Sequence, residues 1–408
     1  MRLTRIRDLA SLQQKILDTP LRFLLIPLSW LYTAGVHLRN ILYTRGVFKA
    51  RKLPCRVISV GNIVVGGTGK TPAVIAIAKQ LQREGIRVAI LLRGYKRRVR
   101  EKVTIVSDGE KVRASPIESG DEAYMMARHL SGVPILVGKC RYRAGRVALE
   151  RFKVDVLLLD DGFQHRQLAR DVDILTIPAT HPFGSPAKLL PAGTLREPPT
   201  ALRRADLILL TQADTPGIAA HVKKLLKPLV PNAPILESIH HPTHFYPLVS
   251  SYQLPVTSYQ SVFIKREPLL TGPWTLDPGN YDIKELKGKR VLAVCGIGNP
   301  DAFVATLMRC AVASVELLAF PDHHVYTETD KRRIYTAFQE TAADLIVTTQ
   351  KDEQKLVGAG NVIQGMDSVY SQTESPSPYQ NLPIAILAVA LVITEGHKKF
   401  NDVLLGSR

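Results

Sequence analysis

Six residues, Gly66-Gly67-Thr68-Gly69-Lys70-Thr71, constrain this chain more than any other feature, because of what flanks them. Upstream, Arg56-Val57-Ile58-Ser59-Val60 is a β-branched run that reads as a strand and ends in Gly61-Asn62. Downstream, residues 73–84 have the apolar spacing of a helix. A strand that feeds a glycine loop opening a helix suits a phosphate group. Glycines let backbone N–H groups approach its oxygens, and the helix N-terminus adds positive potential. Lys70 can reach the β and γ phosphates of a nucleotide, and the Thr71 hydroxyl can bind a magnesium ion. The pattern G-x-x-x-x-G-K-[ST] is not fully met, since Val64 stands at its first glycine. The paired Gly66-Gly67 resembles the variant loops of some P-loop ATPases.

The rest of the chain supports that geometry. Residues 88–92, 154–159, 172–177 and 207–210 are continuous apolar runs, with helical stretches at 121–130 and 142–152 between some of them. Alternating strands and helices predict a parallel sheet covered on both faces, and apolar strands without alternation agree with burial on both sides. Residues 231–288 are rich in Pro, Ser, Tyr and His and read as a hinge or a small antiparallel insert, with Ser261–Lys265 as a short strand. The α/β rhythm resumes with strands at 290–294, 315–320 and 345–349 and helices at 300–310 and 329–342. The expected organisation is a basic, apolar N-terminal segment (1–55), a P-loop NTPase-type core (56–235), a hinge or insert (236–288) and a smaller α/β C-terminal domain (289–408).

In a parallel sheet, ligands gather at the carboxyl ends of the strands. The run from Val154 to Leu159 ends there in Asp160-Asp161, and an acid at that place suits a magnesium contact. Adjacent strand residues face opposite ways, so one acid can bind the metal while the other stays behind it. Gln164, His165 and Arg166 follow and could face nucleotide or acceptor. Arg93 closes another strand as a phosphate clamp candidate, and Arg196-Glu197 lie in a Pro/Gly-rich loop spanning 190–198. Asp121, after Gly120, is either a helix N-cap or a base. His323, in Pro321-Asp322-His323-His324, is either a loop histidine or a base partner.

Charge points to a surface. The chain carries +18 formally, and its first 56 residues hold eleven basic and two acidic residues. Because the basic residues are interleaved with Leu, Ile, Phe and Trp, an anionic lipid surface is favoured over nucleic acid. Residues 21–36 are apolar but broken by Arg22, Pro27, Ser29 and Gly35, and are too short for a spanning helix of about 20 residues. No small-residue cleavage site follows them, so a helix lying in the interface is expected. Arg2, Arg5 and Arg7 leave organelle targeting open, although Asp8, Asp18 and a lone Ser count against it. Cys55, Cys140, Cys295 and Cys310 lack metal or redox spacing and are expected as reduced thiols.

Taken in order, these motifs resemble the tetraacyldisaccharide 4′-kinases of lipid A biosynthesis. The resemblance runs through Val60 to Pro72, Arg93-Gly94-Tyr95, Gly120-Asp121-Glu122, Asp160 to His165, Leu190 to Pro198, Gly296 to Pro300, Asp322-His323 and Thr348 to Asp352. It implies transfer of the ATP γ-phosphate to the 4′-hydroxyl of a tetraacylated glucosamine disaccharide 1-phosphate. That lipid A precursor would be met at the cytoplasmic face of the inner membrane. It also implies Asp121 as catalytic base tuned by His323 across a domain cleft, Lys70 and Thr71 on phosphates and Mg2+, and Asp160 or Asp161 completing the metal site. Gln350 stands where the family usually has Glu and Thr194 where it usually has Pro, and residues 357–382 depart from the pattern. Two rival classes remain. Thr211-Gln212-Ala213-Asp214 faintly resembles a guanine-reading motif without its Lys, which would suit a P-loop GTPase or metallochaperone. The net charge alone would suit a nucleic-acid-binding ATPase.

Overall fold

The structure, a computed structural model, describes residue 23 and residues 25–95, 97–99, 101–215, 217–248, 280–358 and 382–406. It divides the chain into two units: Met1–Ile239 together with Leu391–Arg408, and His240–Ala390.

In the first unit, helix α1 (Ile26–Thr44) precedes β1 (Arg56–Gly61) and α2 (Lys70–Arg83). There follow β2 (Val88–Leu92), β3 (Thr104–Asp108), α3 (Pro116–Ser119), α4 (Asp121–His129), β4 (Pro134–Val137) and α5 (Arg141–Arg151). Then come β5 (Val156–Asp160), β6 (Val172–Pro178), β7 (Leu207–Thr211), α6 (Ile218–Leu226) and the start of β8 (Ile235–Pro247). The strands lie in the order β3-β4-β2-β5-β1-β6-β7-β8. Apart from β3, which runs antiparallel to β4, they are parallel. Val60 of β1 pairs with Asp160 of β5 on one side and Ile174 of β6 on the other, which puts the glycine loop and the paired acids at adjacent carboxyl ends.

Packing follows the sequence pattern. Ala73, Val74, Ile77, Ala78 and Leu81 form the buried stripe of α2 and meet Ile58, Val60, Ile90 and Leu158. Burying each large aliphatic side chain contributes about 1.5–3 kcal/mol, so Ile77→Ala should cost about 2–5 kcal/mol through the cavity it leaves. Leu53, Leu91, Ala144, Ala148 and Leu157 form a second cluster, with α5 packed on the sheet.

The second unit holds the end of β8, β9 (Tyr281–Asp282), β10 (Arg290–Cys295), α7 (Pro300–Arg309), β11 (Ser314–Ala319), α8 (Glu328–Thr341), β12 (Leu345–Thr349), α9 (Glu353–Gly358) and most of β13 (Ile384–Ile393). Its parallel core has the order β11-β10-β12-β13, with Val294 opposite both Leu318 and Thr348. Helix α10 (His397–Leu405) belongs to the first unit, where Phe400 and Leu404 join the core cluster of α2.

Strand and helix positions agree with the sequence expectations to within a few residues at each end, including β2 and β12, whose bounds are unchanged. Two differences are informative. The segment read as irregular contains β8, a 13-residue strand that polar residues such as His240, His241 and Thr243 conceal. Residues 391–408, expected in the smaller domain, lie with the first unit. The expected strand at 261–265 and residues 359–381 fall outside the described residues.

Candidate functional site

Gly69 is the N-cap of α2 and has φ +79°, a left-handed conformation that costs glycine little. Thr68 does not face a ligand with its side chain. It is buried, with its Oγ1 accepting from Asn62 Nδ2 at 2.8 Å and 3.0 Å from Thr176 Oγ1, while its carbonyl accepts from Thr211 Oγ1 at 3.0 Å. These bonds fix the loop from within. Its mouth is left to Gly66, Gly67, the backbone N–H groups, Lys70 and Thr71.

Asp160, the last residue of β5, and Asp161, which opens the turn after it, have different surroundings. Asp160 is 3% exposed, and its Oδ1 is buried without a hydrogen-bond partner. Burial raises its pKa, and the nearby Glu122 and Asp161 raise it further, against Lys70 and Arg141. Asp161 has φ +50°, strained for a non-glycine residue. Its carboxylate accepts from Arg196 Nη1 at 2.7 and 2.8 Å and lies 3.8 Å from Lys70 Nζ. Burial pushes this carboxyl upward, but Lys70 and Arg196 outweigh it and hold the pKa at about 2. The turn needs glycine at the next position, because a Cβ on Gly162 would sit 2.6 Å from Ser59 Oγ.

The 189–197 loop is held against the glycine loop by main-chain bonds, Val65 N to Thr194 O at 2.8 Å and Arg196 N to Ile63 O at 2.7 Å. That places Arg196 beside Asp161. Glu197 does not face this site: it is fully buried, accepting from Arg204 Nη2 and Asn40 Nδ2, both at 2.9 Å. Gln164 Nε2 donates to Asn62 O at 2.9 Å and braces the turn before the loop. His165 is half-buried, and burial together with Arg141, Arg170 and Arg93 lowers its pKa to about 4, so it is neutral near pH 7. Arg93 is exposed at the end of β2.

Sequence reasoning missed Arg141, which is 3% exposed with Nη2 3.4 Å from the Asp160 carbonyl oxygen. Burial lowers its pKa to about 10. The available signal was its position at the start of a helix just past an apolar strand. Nothing in the sequence sets Glu122 apart, although its charge bears on Asp160. Asp121 opens α4 in the same unit, and the capping position is Gly120, so the N-cap alternative does not hold.

His323 belongs to the second unit and has φ +58°. Asp322 Oδ1 accepts from Lys351 Nζ at 2.9 Å, and Lys351 Nζ is 3.3 Å from His323 Nε2. Burial raises the Asp322 pKa, but Lys351 and His323 bring it below the ordinary carboxylate range.

A parallel sheet with a lysine-bearing glycine loop and a strand-end acid at adjacent strand ends defines a P-loop kinase fold. The family described as tetraacyldisaccharide-1-P 4′-kinase matches residues 21–375, and this chain belongs to that family. A tetraacyldisaccharide 4′-kinase of Syntrophus aciditrophicus is 42% identical over 83% of this chain and 85% of the relative. One of Halothermothrix orenii is 39% identical over 84% and 85%. The crystal structure of LpxK from Aquifex aeolicus in complex with ATP superposes with a TM-score of 0.66 at 30% identity, covering 94% of this chain and 98% of that one. The chain is therefore a lipid kinase that carries out ATP-dependent 4′-phosphorylation in lipid A biosynthesis.

Proposed function

We propose that the chain transfers the ATP γ-phosphate to the 4′-hydroxyl of a tetraacylated disaccharide 1-phosphate at the cytoplasmic face of the inner membrane, with Mg2+ held beside the glycine loop. The observation that carries this reading is the grouping of Lys70, Asp161 and Arg196 next to Asp160, whose buried Oδ1 lacks a partner.

The residues present fit a magnesium ion. Asp160 offers an unpartnered hard oxygen donor whose ionisation is suppressed by burial and neighbouring acids, a state that a divalent cation relieves. Thr71 adds a hydroxyl at the start of α2. Such a site draws on few protein ligands because phosphates and water complete the shell. When bound, the ion would neutralise charge developing on the phosphates. Lys70 and the N–H groups of residues 66–71 orient the triphosphate. Arg196 holds Asp161, which keeps Lys70 close to the phosphate position. Asp121 takes the proton of the 4′-hydroxyl. Arg93 and Arg141 add positive charge around the strand ends.

The membrane reading rests on α1. Among the described residues no helix is long and apolar enough to cross a bilayer. Helix α1 nevertheless exposes Leu28, Trp30 (70% exposed), Leu31 (71%), Leu38 and Ile41. These exposed apolar side chains, followed along the chain by exposed Arg45, Lys49, Arg51 and Lys52, suit insertion at an anionic lipid surface. For the nucleotide reading the decisive test is ATP against GTP turnover with the glycolipid acceptor. Preference for GTP, or hydrolysis without glycolipid labelling, would restore the GTPase alternative.

A further inference from the structure

The unusual face of α1 is the one turned inward. A surface helix ordinarily buries an apolar stripe and exposes polar groups. Here the contacts to the rest of the first unit are largely polar. Ser29 Oγ donates to Leu189 O at 2.8 Å, Tyr32 OH to Arg196 O at 2.9 Å, and Asn40 Nδ2 to Glu197 Oε2 at 2.9 Å. Arg39 Nη2 lies 3.5 Å from Glu197 Oε1. In return, Arg166 Nη1 donates to Asn40 O at 3.0 Å, and its guanidinium lies over the Tyr43 ring at 5.0 Å.

A lipid anchor alone needs none of this. An apolar outer face is enough to hold a helix in a membrane, and a helix that served only as a foot could meet the protein through apolar contacts. Instead Ser29, Tyr32, Arg39 and Asn40 all reach one loop, at Leu189, Arg196 and Glu197. That loop pairs through Val65 and Ile63 with the segment entering the glycine loop, and its Arg196 grips Asp161, the partner of Lys70.

Glu197 makes the connection stiff. It is fully buried, Arg204 and Asn40 donate to its Oε2, and Arg39 faces its Oε1 as an ion pair at 3.5 Å without a hydrogen bond. Arg204 is itself pinned with its guanidinium 4.0 Å over the Phe163 ring. A buried carboxylate that loses a donor is left with uncompensated charge, so it stays where its donors hold it. Its neighbour Arg196 is one peptide away, about 3.8 Å between Cα atoms, and cannot shift independently.

We propose that α1 is a brace for the catalytic loop as well as a membrane foot. Tyr32, Arg39 and Asn40 are positioning residues that hold Arg196 on Asp161 and, through Asp161, set Lys70. This rests on the phosphotransferase reading above, since it assigns them a part in that reaction. A misplacement of about 1 Å at reacting groups can cost up to about 10²-fold in rate. The loss should therefore appear in kcat, with nucleotide affinity largely kept.

The test uses the full chain in nonionic detergent micelles containing the glycolipid acceptor, so that membrane binding does not limit the rate. Asn40→Ala should lower kcat about 10-fold or more, with the KM for ATP within about twofold of the parent. Tyr32→Phe, which preserves shape and removes one hydroxyl, should lower kcat several-fold with an unchanged thermal midpoint. It decides the matter if Asn40→Ala folds poorly. Arg39→Lys should keep most of the activity that Arg39→Ala loses. Combining Asn40→Ala with Arg196→Ala should be little worse than Arg196→Ala alone, because both act through one contact. Parent-like kcat in Asn40→Ala and Tyr32→Phe, or effects that multiply with Arg196→Ala, would overturn the brace. A parent chain that binds ATP yet labels no glycolipid would instead sink the kinase reading itself, so the two failures are distinguishable.

Discussion

Replacing Asp160 by Asn should make the nucleotide-free protein more stable at pH 8 while removing its response to magnesium. Asp160 is buried, and burial, Glu122 and Asp161 raise its folded pKa above the unfolded value. A raised acid binds more protons folded than unfolded, so stability falls as pH rises from the unfolded pKa to the folded one. Above that window the folded protein carries a buried carboxylate whose Oδ1 has no partner. Asn has nearly the same shape and no charge, and the bond from Arg141 Nη2 goes to the Asp160 main-chain oxygen, which the variant keeps. Replacing a poorly paired buried charge by a neutral group of similar volume is worth about 1–2 kcal/mol, allowing for the attraction of Lys70 and Arg141. For a unit of this size that is about 3–6 °C in thermal midpoint. The gain should shrink toward pH 5, where the parent carboxyl is already protonated. Thermal melts at pH 5 and 8, with and without Mg2+ and a non-hydrolysable ATP analogue, check each part. A variant less stable than the parent at pH 8, or one still stabilised by Mg2+ with nucleotide as strongly as the parent, would refute the reasoning.

Other outcomes follow from the same geometry. Asp121→Asn should lower phosphoryl transfer about 10²-fold or more while leaving ATP binding intact in a fluorescent-nucleotide titration; near-normal turnover would remove Asp121 as base. Trp30→Ser with Leu31→Ser should weaken sedimentation with phosphatidylglycerol vesicles more than ATP binding, and unchanged sedimentation would end the docking role of the outer face of α1. Gly162→Ala should destabilise the first unit by about 1–3 kcal/mol in urea melts, because its Cβ would press on Ser59 and Leu159, and a neutral result would show that the turn can relax.

What could be read from the sequence was local. The glycine loop, the helix behind it and the paired acids each lie within one stretch of chain, so residue type and spacing were enough to place them on a strand, a turn and a helix. Features that depend on distant segments were not readable. Asn40 and Glu197 lie 157 positions apart, and nothing near Glu197 in sequence marks it as a buried anchor rather than a ligand group. Arg141 gains its place only when β4 is set between β2 and β3, and β4 is four residues long, too short for a clear periodic signal. Strand β8 was concealed by its histidines, whose polarity masks a partly buried pattern. The return of residues 391–408 to the first unit follows from where Leu391, Ile393, Phe400 and Leu404 find apolar partners, and composition does not show that.

The central claim is that Lys70, where its helix begins, grips the triphosphate whose terminal group reaches the glycolipid. Incubating the purified chain with γ-radiolabelled ATP, Mg2+ and a tetraacylated disaccharide 1-phosphate tests it directly. The parent should label the lipid in proportion to enzyme and time, and Lys70→Ala should reduce labelling about 10³-fold or more. Lipid left unlabelled by the parent, or labelled equally by Lys70→Ala, would contradict the account.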